Sequence, residues 1–105
     1  MSNQKEWAIT VLDIVNDARR GVDFESNVDF VSNVLNDIWW DSYNNAVEVE
    51  MEGAHKIELD SVEKAEEIIS KVNFFNSASF NVINRVSEVI DRVQSQGYEQ
   101  GGYDS

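Results

Sequence analysis

The sequence predicts a mainly helical α+β single domain in the order α-α-β-β-α-α, and three observations predict it. Four segments repeat apolar residues at three- and four-residue spacings, the period of an amphipathic helix. Between the second and third of them, residues 47–52 alternate strictly, Val47, Val49 and Met51 against Glu48, Glu50 and Glu52. No linker or internal repeat divides the 105 residues, which suffice for one modest core.

The first helix is expected from Lys5 to Arg20, with Trp7, Ala8, Val11, Leu12, Val15 and Ala18 inward. Arg19-Arg20 followed by Gly21 reads as its end, because bases complement the negative pole of the dipole and glycine permits a left-handed exit. The second is expected from Asn27 to Tyr43, with Ser26 and Asp29 resembling a capping box. Its inward stripe is Val28, Val31, Val34, Leu35, Ile38, Trp39 and Ser42, while Asp29, Asn33, Asp37 and Asp41 recur every four residues on another face.

The alternating run then reads as a strand, turning at Gly53-Ala54 and pairing with residues 55–59 in a two-stranded antiparallel hairpin packed on the helices. Asp60 with Glu63 resembles a second capping box for a helix ending near Val72. Phe74 and Phe75 are expected as a buried plug in the break that follows. Ser77 or Ser79 opens the last helix, with Phe80, Ile83, Val86, Val89, Ile90 and Val93 inward. The globular domain is expected to comprise residues 1–96, and residues 97–105, three of them glycine, to form a flexible C-terminal tail.

Charge narrows the function more than any motif does. Twenty acids against eight bases give a net charge of −12, which disfavours direct contact with nucleic acid or an anionic membrane. The lack of cysteine removes disulfides and thiolate metal sites, and no secretory signal or membrane-spanning run is evident, so a cytoplasmic protein is expected. His55, the one histidine, falls at a turn without a partner motif, and neither a glycine-rich phosphate loop nor a calcium loop occurs. No catalytic residue, metal or cofactor is expected, and the chain reads as a non-enzymatic protein.

Binding is what remains. From Gly21 to Ala54 the chain carries eight acids and neither Lys nor Arg, around the aromatic group Trp39, Trp40 and Tyr43. Two accounts of the acidic rows stand side by side: a solvated face that gives solubility only, and a docking surface for a basic patch. The aromatics divide likewise, between a wide stripe that buries both indoles and an exposed Trp40 or Tyr43 serving as a hot spot in an acidic rim. The binding account nominates Asp29, Asp37, Trp40, Asp41, Tyr43, Glu48, Glu50 and Glu52 as partner-contacting residues. Carboxylates every ~6–7 Å come near the spacing of nucleic-acid phosphates.

In size, charge and its Asp29–Asp37–Asp41 and Glu48–Glu50–Glu52 rows the chain resembles the small acidic anti-defence proteins of phages, among them anti-CRISPR proteins and anti-restriction DNA mimics. That resemblance implies an inhibitor that occupies the basic, nucleic-acid-binding surface of a partner protein in the host cytoplasm. An immunity or antitoxin-like protein neutralising a basic toxin is the alternative, and an acidic structural or adaptor module without mimicry a further one. A homodimer is compatible with each.

Overall fold

The computed structural model describes residues 4–73 and 79–104, which form four helices: α1 (Gln4–Ala18), α2 (Phe24–Glu52), α3 (Ser61–Asn73) and α4 (Phe80–Asp104). The expected plug of Phe74 and Phe75, and Ser77 as a helix start, lie outside the described residues. Among the described residues there is no strand, so the fold is all-α and the α+β expectation is corrected.

The error lies in the reading of residues 46–59. Nothing between Tyr43 and Glu52 breaks a helix, and α2 runs straight through the Val-Glu-Val-Glu-Met-Glu alternation. On that helix Val47 and Val49 stand about 200° apart and are both half-buried while Met51 is exposed, so the alternation does not mark one buried face. Gly53 is a helix end and not a hairpin turn. Its φ of 69° is left-handed, and the Gly53 and Ala54 amides turn back to the carbonyls of Val49 and Glu48 at 3.2 and 3.4 Å. Residues 55–59 are an irregular return segment rather than a second strand.

The first half of the chain keeps its expected pattern with shifted ends. Asn16, unremarked in the sequence, accepts the Gly21 and Val22 amides on its side-chain oxygen (3.1 and 3.2 Å), while Gly21 takes a φ of 102°. Asp23, not Ser26, caps α2: it accepts the Ser26 amide at 3.1 Å and the Ser26 hydroxyl at 2.6 Å. That hydroxyl, then the amide, holds the Asp23 carboxyl below its ordinary range. Asp60 caps α3 through the Glu63 amide as expected (3.1 Å), and Ser79 caps α4 through Val82 (3.4 Å).

Burial follows the stripes closely. Among the described residues, Val11, Leu12, Val15, Val31, Leu35, Ile68, Ile69, Val86, Ile90 and Val93 are the largest fully enclosed side chains. Ala18 and Phe80, expected inward, are exposed, Phe80 to 74%; Val62, at 39%, is exposed as well.

Gly97 onward is the other correction. This segment continues α4 to Asp104, with Gly97 and Gly101 buried against α2. A Cβ on Gly97 would lie 2.3 Å from the Trp39 carbonyl oxygen, and one on Gly101 2.4 Å from that of Tyr43. Glycine weakens a helix by about 1 kcal/mol relative to alanine. Here it lets two backbones touch, and the packing so gained offsets that loss. Trp39 faces Gly97 and Tyr43 faces Gly101, so α2 and α4 advance side by side in the same direction. Their contact is the most extensive in the molecule; α1 packs against both, and α3 chiefly against α4.

Candidate acidic docking face

Putting residues 24–52 in one helix rearranges the acids that the sequence nominates. At 29 residues α2 is about 43 Å long and sets the 46 Å long axis of the molecule. Asp37, Asp41, Glu48 and Glu52 fall within an arc of about 60° on this helix, a single row roughly 22 Å long. All four are exposed, and among the described residues none forms an ion pair. Asp29 is exposed about 80° away from Asp37 around the axis. Glu50 leaves the row: two residues on a helix turn through about 200°, so Glu48 and Glu50 diverge where a strand would have aligned them.

The aromatic group splits in a similar way. Trp39 is buried at 6% exposure while Trp40 is 37% exposed. Trp39 stacks on the half-buried Tyr43 (centroids 5.3 Å, planes 17° apart), and Trp40 meets both edge-on at 4.9 and 5.2 Å. The Tyr43 hydroxyl donates to Asp104 Oδ2 at 2.7 Å, and Gln100 donates to the other carboxylate oxygen at 3.0 Å. The bond to Asp104, with desolvation adding to it, pushes the Tyr43 phenol above its ordinary value of 10.0. Trp40 therefore stands on a braced platform. It lies about 60° from Asp37 round the helix, next to the row, with the 69%-exposed Met51 farther along the same edge.

On its other edge the row borders a trough of about 670 Å³. Asp37, Asp41 and Glu48 form one wall; Ile57, Glu58, Leu59, Asp60 and Lys64 form the other. Asn45 fixes this second wall. Only 7% exposed, it donates to the His55 carbonyl (3.1 Å) and accepts the Ile57 amide (2.9 Å), holding the return segment along α2. Sequence reasoning passed over Asn45. The available signal was its position, seven residues after Ile38 and three after Ser42, both buried, where an amide must find partners.

His55 is exposed, and among the described residues no group of three His, Cys, Asp or Glu side chains is arranged to hold a metal ion. No helix among them is long and apolar enough to cross a membrane. The chain matches no protein family, curated protein or solved structure.

Proposed function

We propose that this chain is a non-enzymatic inhibitor that docks the acidic row of α2 onto the basic, nucleic-acid-binding surface of a partner protein. One observation carries the reading: Asp37, Asp41, Glu48 and Glu52 share one side of a helix that contains neither Lys nor Arg. Like charges four residues apart destabilise an isolated helix by a few tenths of a kcal/mol, and alternating signs would have removed that cost. A cationic partner surface compensates it and gains a steered, salt-sensitive encounter. Trp40 beside the row supplies the apolar anchor that charge alone lacks.

The test is capture of basic proteins from the cell of origin on the immobilised chain, followed by competition with duplex DNA. Asp37→Lys with Glu48→Lys is expected to weaken capture at least tenfold with the thermal melt preserved, and Glu50→Lys to change it less than twofold. Excess DNA should displace the partner. Capture that neither the double variant nor DNA alters would overturn the proposal.

A further inference from the structure

The trough beside the acidic row is amphipathic and runs along α2. α2 and α3 both lean on α4 and barely meet each other, and the return segment with Lys64 of α3 walls a slot along α2, which Gln94 of α4 also lines. Its α2 wall extends from Val34 to Glu48, about 21 Å or four helical turns. Val34, Ile38, Ile57 and Leu59 give it an apolar lining. Five carboxylates rim it, Asp37, Asp41 and Glu48 on one side and Glu58 and Asp60 on the other, against the single ammonium of Lys64.

Ile57 adds an exposed apolar surface to this slot. It is 69% exposed, although its own amide is pinned by the buried Asn45. A mobile loop shows an apolar side chain to water part of the time, whereas this one is carried on backbone that Asn45 holds beside the slot. Keeping that apolar surface in water is unfavourable, a loss that a partner's apolar side chain would recover.

We infer that this trough receives a cationic amphipathic helix of the partner protein, a deepening that rests on the basic-partner reading above. The occupant's apolar stripe lies on Ile57, Leu59, Val34 and Ile38, and its Lys and Arg flanks meet the two acidic rims. An amphipathic helix laid into an apolar-lined groove is a recurring mode of recognition. A second copy of this chain is the wrong occupant, since at a net charge of −12 it would bring acid to acid.

The experiment titrates the full chain with two synthetic peptides of about four helical turns. They share one composition of Leu, Lys and Arg, ordered amphipathically in one and scrambled in the other. Calorimetry is expected to show the amphipathic peptide binding at least tenfold tighter. Ile57→Ser should erase that preference without altering the melting temperature or the affinity for the scrambled peptide. Asp37→Asn with Asp41→Asn should weaken both. Equal affinities for the two peptides, or a preference that survives Ile57→Ser, overturn the helix-receiving trough and leave the acidic-face reading standing. If neither peptide binds at low salt, or binding ignores both salt and the Asp37→Asn/Asp41→Asn pair, both readings fall.

Discussion

Adding one methyl group at Gly97 tests whether the end of α4 is docked on α2. The alanine Cβ would lie 2.3 Å from the Trp39 carbonyl oxygen and 3.1 Å from the Trp39 Cα and carbonyl carbon. Those atoms belong to a helix backbone and cannot rotate aside, so the two helices must separate by roughly 1 Å to restore ordinary contact distances. Overpacking of this kind costs about 1–3 kcal/mol, and an immovable neighbour places it at the upper end. Alanine returns about 1 kcal/mol of helix propensity. The balance is a loss of about 2 kcal/mol, which lowers the melting temperature of a domain this size by roughly 10 °C. Gly101→Ala, which meets the Tyr43 carbonyl at 2.4 Å and the Ala46 Cβ at 2.7 Å, should cost a similar amount. The double variant should cost less than the two together, since one separation relieves both clashes. Gly102 is the internal control: a Cβ there meets nothing, so Gly102→Ala should stabilise, by at most about 1 kcal/mol. Urea and thermal denaturation followed by far-UV circular dichroism decide the matter. If Gly97→Ala is as stable as wild type, or moves in the same direction as Gly102→Ala, the docked helix end is wrong.

Other perturbations reach the same surfaces by different routes. Asn45→Ala removes both hydrogen bonds that hold the return segment and should cost about 1–3 kcal/mol. The Ile57 amide is expected to exchange slowly in wild type and at the rate of an open loop in this variant, and unchanged protection would show that Asn45 is not the clamp. In an alkaline absorbance titration, the difference between wild type and Tyr43→Phe should reveal a phenol ionising above 10.0, and Asp104→Ala should lower that value. Because the folded state raises the Tyr43 pKa, its stabilising contribution is complete below the unfolded value and is lost as pH rises through the folded one. A phenol that titrates identically with and without Asp104 would refute the bond.

The helices were legible where side chains alone decide burial. The stripes Val11–Leu12–Val15, Val31–Leu35–Ile38 and Val86–Ile90–Val93 could be recognised because their period admits a single geometry. Alternation over six residues does not by itself specify a strand, and continuity with α2, a property of 29 residues, outweighs it. Gly97 and Gly101 looked like chain breakers because the reason for them is another segment's backbone, which no local pattern displays. For the site, the sequence shows which residues are acidic but not which face each occupies. The faces depend on whether successive residues turn by 100° or 180°, so correcting the strand moved Glu50 away and brought Glu48 and Glu52 into line with Asp37 and Asp41.

The glycine seam has a kinetic corollary. Tyr43 and the carboxylate that braces it are 61 residues apart in the chain, a long reach for an all-helical protein, whose contacts usually form between neighbours. The ring entropy of closing so large a circuit is spent before the seam returns anything. Trp39, sealed by that closure, is thus a built-in clock once Trp7 and Trp40 are replaced by phenylalanine: the change in its emission times the closing of that circuit, while circular dichroism times the coiling of each segment.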